Sequence, residues 1–157
     1  MNASLRTAAE VLTSDEVRLL AEIGFMACRG RENTSAFAIF EGLRELRPGH
    51  GFVFLGRAMA RMSAGRAEEA VRILRDEGLK ILPGDEELQV FLAIALKEVG
   101  RERDCRRVLE ALVVRCGEPS APRRLAASLL ASMSDGLPAP AMVTNSGGRP
   151  AGLRRTV

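Results

Sequence analysis

The sequence has no tryptophan and no tyrosine, and its six phenylalanines bring the aromatic share to only 4% of 157 residues. Sheets are enriched in aromatic and β-branched residues, whereas alanine and leucine dominate here. This balance favours helices that pack through aliphatic side chains. Because hydrophobic residues make up 46% of the chain, the length allows one domain with its own core.

Long apolar runs are also missing. No run approaches the roughly 18–20 residues of a membrane-spanning helix, and residues 1–11 lack the continuous apolar stretch of a signal peptide. We therefore expect a cytoplasmic protein that does not insert into membranes. The three cysteines (Cys28, Cys105 and Cys116) have no CxxC spacing and lie in apolar helical patterns, which predicts reduced, buried or half-buried thiols.

Residues suited to catalysis are scarce. The single histidine, His50, lies in a Pro-Gly-His-Gly turn, where exposure to solvent is the simplest interpretation. The acidic cluster at residues 85–87 begins a predicted helix, where carboxylates favour the positive end of the helix dipole. The sequence contains no phosphate-binding glycine loop, metal-ligand spacing or nucleophile motif. It therefore predicts a protein that is not an enzyme and takes no cofactor or metal.

Charge is spread rather than concentrated. The formal net charge is +3, and the excess comes from three arginines that follow Gly136, where no acidic residue is present. Before that point basic and acidic side chains balance, and acids are interspersed among the lysines and arginines. Since nucleic-acid binding needs a continuous basic face to neutralise phosphates, we expect no nucleic-acid partner.

Turn residues recur at a fixed interval. Gly-Arg pairs begin at residues 30, 65 and 100, and Pro-Gly pairs begin at residues 48 and 83, so both recur every 35 residues. A segment of helical length lies between successive signals. Such a period is typical of repeats built from two helices and two turns. We expect the glycine of each Gly-Arg pair to take the left-handed backbone that closes the first helix, and the proline to end the second.

Apolar residues recur with nearly the same period. The recurring positions are Gly24, Ala58 and Ala93 on the first helix of each unit, and Ala36, Ala70 and Cys105, then Phe40, Leu74 and Leu109, on the second. The offset is 34 residues between units one and two and 35 between units two and three. Small residues let the two helices cross closely, and larger ones fill the space beside the crossing. The extra residue of unit two lies near Gly78, and we expect it to weaken helix geometry over residues 75–83.

This pattern resembles the tetratricopeptide repeat family, whose consensus is W-x2-L-G-x2-Y, then A-x3-F, then P over about 34 residues. The resemblance covers roughly residues 17–117 and departs from the consensus at Arg57 and Arg61, which replace apolar residues. It implies an all-α fold of about three helix-turn-helix repeats, arranged in a short right-handed superhelix.

The ends of the repeat region carry their own signals. Thr13-Ser-Asp-Glu16 is a capping box that predicts the start of the first helix. Residues 121–133 place leucines at helical spacing and predict a C-terminal capping helix, which repeat arrays need to cover their last apolar face. We therefore divide the chain into an N-terminal segment 1–12, a helical repeat domain 13–135 and a disordered tail 136–157.

In the family, the first helix of each pair lines a concave inner surface. Carried over to this chain, its ligand-facing positions fall on Arg18, Ala21, Phe25 and Cys28 in unit one, Phe52, Leu55, Met59 and Met62 in unit two, and Glu87, Val90, Ile94 and Lys97 in unit three. The resemblance thus implies a partner-binding groove formed by the mainly apolar members Phe25, Cys28, Phe52, Leu55, Met59, Met62, Val90 and Ile94.

The residues of unit two suggest what such a groove would hold. Phe54 and Ala58 already supply the inward face of that helix, so the apolar stripe from Phe52 to Met62 needs a second cover. An amphipathic helix of a partner would suit it, since methionine adapts to irregular surfaces. The alternatives are a second copy of the chain, the chain's own N-terminal segment, or ordinary core packing.

With three short repeats, a Gly-Arg turn, an apolar groove and the junction Leu74-Arg-Asp-Glu77, the chain resembles the cytosolic chaperones of bacterial type III secretion, including the Hrp-type tetratricopeptide proteins. The similarity lies in architecture and in residues 58–95. It implies that an aggregation-prone secreted subunit lays an apolar helix into the groove and stays soluble until export. A generic scaffold subunit of a larger complex and a homodimer that uses the same apolar face remain the alternatives.

Overall fold

The computed structural model describes residues 12–115 and 117–134. Its helices are α1 (Ser14–Arg29), α2 (Asn33–Leu46), α3 (Gly51–Ser63), α4 (Ala67–Arg72, continued through Ile73–Gly78 and Leu79–Ile81), α5 (Glu86–Glu98), α6 (Glu102–Val113) and α7 (Ala121–Ser134). No strand occurs in these two ranges. The predicted all-α fold is confirmed.

The helices stack in pairs in chain order. α1 packs on α2, α3 on α4, and α5 on α6, while α2 and α4 also pack on the first helix of the next pair. α7 packs on α6 and α5, so it takes the place that the first helix of a fourth pair would occupy. This is the predicted repeat arrangement, closed by the predicted capping helix.

Two helix starts follow local hydrogen-bonding rules. The Thr13 backbone N–H donates to Glu16 Oε2 at 2.7 Å, and the Glu16 N–H donates to Thr13 Oγ1 at 3.3 Å, so the predicted capping box opens α1. At the start of α5, the Asp85 carboxylate accepts a bond from the Leu88 N–H at 3.0 Å. The Thr13 hydroxyl and the Asp85 carboxylate each accept a bond from a backbone N–H that a helix start would otherwise leave unpaired.

The repeat positions form the core. All nine recurring positions, from Gly24 to Leu109, are buried. The core has two clusters, one centred on Phe40 and one that includes Leu74 and Leu109. Since α3 contributes Val53 to the first cluster and Ala58 to the second, this helix joins the two halves.

One predicted helix end is wrong by a residue. Gly65 and Gly100 have φ angles of 73° and 76° and close α3 and α5 as predicted. In unit one, however, Gly30 has φ −74° and the left-handed position falls on Arg31, with φ 60°. Units one and two are offset by 34 residues rather than 35. Arg31, and not Gly30, is therefore the counterpart of Gly65.

The extra residue of unit two is absorbed inside α4. Residues Ile73–Gly78 form a π-helical segment before α-helical geometry resumes at Leu79. A π-bulge is the usual way for a helix to accept a single inserted residue without changing its ends. The predicted disturbance over residues 75–83 is thus confirmed in kind, but it spans residues 73–78, and α-helical geometry covers Leu79–Ile81.

The two arginines that replace apolar consensus residues join α3 to its neighbours. Arg57 is 6% exposed, and it donates to Glu41 on α2 at 2.5 Å and to Glu77 on α4 at 2.6 Å. Burial alone would lower the pKa of the Arg57 guanidinium, but its bonds to Glu77 and Glu41 outweigh burial and raise that pKa. Arg61 lies 3.5 Å over the Phe37 ring.

Several predictions on the ends fall outside the described residues. They concern most of the N-terminal segment, the tail from residue 136 and the thiol of Cys116. Cys28 and Cys105 are buried, as predicted, and burial raises the pKa of both thiols. Within residues 12–115 and 117–134, no helix is long and apolar enough to cross a membrane, and no cluster of potential ligands could hold a metal ion.

Candidate functional site

A largely apolar cavity of about 400 Å³ lies between α1 and α3. Its wall is lined by Ser14, Val17, Arg18, Ala21, Glu22 and Phe25 of α1, Phe52 of α3, and Arg47 and His50 of the preceding turn. The α1 residues recur every three or four positions, so one face of that helix supplies them. Both α1 and α3 are first helices of their pairs, which the family resemblance assigns to the concave surface.

Two of the predicted groove residues, Phe25 and Phe52, meet in this cavity. Arg18 and Ala21, which hold family ligand-facing positions, line it too. His50, predicted to be exposed, is exposed at the cavity rim, and its ring centroid lies 5.8 Å from that of Phe52. The structure therefore brings residues from two repeats and one turn around a single apolar space.

Three predicted groove residues hold the same repeat position and form a ladder across the units. Phe25, Met59 and Ile94 are each half-buried, one on α1, one on α3 and one on α5. Met62, also half-buried, follows Met59 by one turn of α3. These side chains leave apolar surface open along the first helices of all three repeats, and we call Phe25, Met59 and Ile94 the groove ladder.

The remaining three predicted groove residues belong to the core. Cys28, Leu55 and Val90 are only 3%, 6% and 1% exposed. Leu55 and Val90 hold one repeat position and lie in the same core cluster. The Cys28 Sγ lies 4.0 Å from the Gly56 carbonyl oxygen, where the thiol is positioned to donate. None of the three offers an open surface to a partner, because neighbouring helices already cover them.

The position of Phe25 depends on the Phe40 ring, and Gly56, which the sequence pattern did not single out, leaves room for that ring. The Phe25 ring centroid lies 4.9 Å from that of Phe40, and the Phe40 ring is fully buried. A Cβ atom added at Gly56 would lie 2.1 Å from the Phe40 ring, and one added at Gly24 would lie 2.8 Å from it. Phe40 is thus held between the backbones of α1 and α3, and in turn supports the cavity wall.

The two arginines that line this cavity are already engaged within the chain. Arg18 pairs with Glu22 at 3.1 Å. Arg47 donates to the carbonyl oxygens of Leu46 at 3.0 Å and Leu12 at 3.5 Å. Because these cations have partners within the chain, the cavity offers chiefly apolar contact.

A second apolar cavity, of about 480 Å³, lies at the opposite end of the repeat array, between α5, α6 and α7. Ile94 of the groove ladder lines it, together with Leu109 of α6 and Leu129 and Met133 of α7. The ladder therefore begins at one apolar cavity, at Phe25, and ends at another, at Ile94.

Exposed apolar side chains also lie outside the groove. Leu19, Ile23 and Met26 of α1 are 57%, 39% and 54% exposed, and none of them lines the first cavity. They recur at helical spacing on a different face of α1 from Ala21 and Phe25. Substituting these side chains therefore serves as a control, because it removes exposed apolar surface without changing the groove.

No protein-family model matches the chain, and the comparison with curated proteins gives no match. Solved structures do match. The type III secretion translocator chaperone SycD of Yersinia enterocolitica gives a TM-score of 0.68 at 17% identity, over 83% of this chain and 99% of that one.

Two further solved structures are similar. PcrH, in complex with the chaperone-binding region of PopB, gives a TM-score of 0.63 at 20% identity, over 78% of this chain and 97% of that one. A type III secretion complex from Aeromonas hydrophila gives 0.64 at 18% identity, over 80% and 85%. At these identities the likeness establishes the fold: the chain is built like the tetratricopeptide-like translocator chaperones, as the resemblance implied.

Proposed function

We propose that the chain is a non-catalytic cytoplasmic chaperone that holds an apolar segment of a type III secretion subunit along its groove ladder. The observation that carries this proposal is the ladder itself: Phe25, Met59 and Ile94 repeat one apolar, half-buried position on the first helices of three successive repeats. The neighbour PcrH was solved with the chaperone-binding region of PopB, which supports the same role for this fold.

The chemistry of the groove favours an apolar polypeptide over a small polar ligand. The first cavity has mostly apolar walls, and its cations are already bonded within the chain. Burying an apolar side chain of valine or leucine size contributes about 1.5–3 kcal/mol. A segment that placed one such side chain in each end cavity and others along the ladder would bind through several modest contributions, which suits a partner that must later be released.

The experiment is co-expression with the translocator-type subunit of the secretion system of its own host, followed by measurement of the soluble fraction of that subunit. We expect the wild-type chain to keep the subunit soluble. Phe52→Ser/Met59→Ser, which removes apolar surface from the groove, is expected to lose this effect. The matched control Leu19→Ser/Met26→Ser removes exposed apolar side chains of α1 and should retain it, with helicity by circular dichroism confirming that both variants fold.

The alternatives predict different outcomes. A generic scaffold would bind partners that are soluble on their own and would tolerate Phe52→Ser/Met59→Ser. A homodimer built on the groove would lose self-association in that variant without changing the solubility of any other subunit. If the subunit stays equally insoluble with and without the wild-type chain, the chaperone proposal is wrong.

A further inference from the structure

The C-terminal end of the groove differs in charge from its N-terminal end. A cleft of about 880 Å³ lies beside the last turn of α7, and the basic residues that line it are Lys97 of α5 and Arg103, Arg106 and Arg107 of α6. Two acids, Glu102 and Glu110, also line it. The cations therefore outnumber the acids in this cleft.

Three of these cations form no ion pair within the described part of the chain. Arg107 lies 3.8 Å from Asp104, but no carboxylate of the described residues lies within salt-bridge distance of Lys97, Arg103 or Arg106. At the N-terminal cavity, by contrast, Arg18 is paired with an acid of the next helical turn. Within the described residues, the positive charge of these three cations is thus not neutralised by an ion pair.

The cleft is continuous with the apolar cavity at the end of the groove ladder. Lys97 and Met133 line both spaces. Burial raises the pKa of the Cys105 thiol; the charges of Lys97 and Arg106 oppose that rise, and the charge of Glu102 adds to it. A polypeptide that filled the apolar cavity would therefore lie next to Lys97, and also next to Glu98, which lines that cavity.

Another role for the cations is to balance the negative end of the α7 dipole, since the last turn of α7 contains no basic residue. That end carries only about half an elementary charge. Three unpaired cations exceed what it can neutralise, so most of the positive charge is left for another partner.

Building on the proposed function, we propose that the C-terminal cleft binds an acidic stretch that follows an apolar anchor in the bound polypeptide, with the anchor in the cavity beside Ile94 and Met133. Charge complementarity and continuity with the groove carry this assignment. A nucleic acid fits less well, because the mainly apolar cavity that adjoins the cleft at Lys97 and Met133 offers its phosphates little polar contact. The groove therefore sets the direction of the bound polypeptide, whose apolar residues lie at α1 and α3 and whose acidic residues lie at α6.

The test is a fluorescence anisotropy titration of the full chain with a labelled peptide of two leucines followed by hexaglutamate. We expect binding that weakens with salt, and a loss of affinity of about ten-fold in Arg103→Gln/Arg106→Gln. The matched control, Arg72→Gln/Lys80→Gln, removes the same charge from exposed positions of α4 and should bind like the wild type. A peptide with hexaglutamine in place of hexaglutamate should bind weakly to all three.

Equal binding of the acidic peptide to both double variants would overturn the inference. So would tighter binding of hexathymidylate than of the acidic peptide, because the cleft would then recognise phosphate. The co-expression assay separates this inference from the proposed function. If the chain solubilises the secreted subunit but does not bind the acidic peptide, only the inference fails. If it binds the peptide at Arg103 and Arg106 but solubilises no subunit, only the chaperone role fails.

Discussion

The contact between Gly56 and the Phe40 ring predicts how far the packing behind the cavity wall can be changed. A methyl group added by Gly56→Ala would lie 2.1–2.3 Å from three atoms of that ring, whereas ordinary contact needs 3.4–4 Å. The ring would have to retreat by more than about 1 Å. It cannot retreat freely, since Gly24 of α1 already touches it from another helix.

The size of the effect follows from two opposing contributions. Overpacking a well-filled core costs about 1–3 kcal/mol, and the cost should lie near the upper limit here because the ring is enclosed. Replacing a helical glycine by alanine contributes up to about 1 kcal/mol in the other direction. We therefore expect Gly56→Ala to be destabilised by about 1–2 kcal/mol. Gly42→Ala, where an added methyl group meets nothing within 4 Å, should gain up to about 1 kcal/mol.

Urea unfolding followed by far-UV circular dichroism measures both variants under the same conditions. We expect a gap of about 1–3 kcal/mol between the stabilities of Gly56→Ala and Gly42→Ala. It also predicts that Phe40→Leu costs less in the Gly56→Ala background than alone, because the smaller side chain relieves the clash. If Gly56→Ala were as stable as Gly42→Ala, the ring would not be confined as the structure describes.

Two other predictions concern helix ends. Arg31→Gly should stabilise the chain by roughly 0.5–1 kcal/mol, because Arg31 holds φ 60° and glycine adopts this backbone without strain. Urea unfolding measures this change in stability. Unchanged or lower stability would contradict the prediction. The hydrogen bonds from the Thr13 backbone N–H and hydroxyl lower the pKa of Glu16 below its ordinary value of 4.5. Its charge therefore stabilises the fold above that value, and this contribution is lost as pH falls through the lowered pKa. The melting-temperature difference between wild type and Glu16→Gln should thus shrink below about pH 4.5, and a difference that stayed constant to about pH 3 would refute the assignment.

The repeat pattern alone was enough to predict the fold. Residues such as Ala36, Ala70 and Cys105 recur with an almost constant offset, and packing at a helix crossing is the physical reason for that recurrence. The capping box at Thr13 could also be predicted, because it depends on residues close together in sequence, and the disturbance near Gly78 could be predicted from the extra residue in the repeat offset.

What could not be predicted depends on three-dimensional neighbours. Leu55 and Val90 hold family ligand-facing positions, yet both are buried in the same core cluster in this chain. The tight space at Gly56 depends on the placement of the Phe40 ring across two helices. The charge of the C-terminal cleft was hidden in the sequence, since Asp104 separates Arg103 from Arg106 along the chain and the fold adds Lys97 from α5.

The central claim is that the groove ladder binds another polypeptide. Its most direct test is purification of the tagged chain from its own host under native conditions, followed by the mass and identity of whatever elutes with it. We expect a secreted subunit to elute with the chain at fixed stoichiometry. The subunit should still elute with the variant Leu19→Ser/Met26→Ser and should be lost from Phe52→Ser/Met59→Ser. A homodimer with no companion, unchanged in both variants, would contradict it.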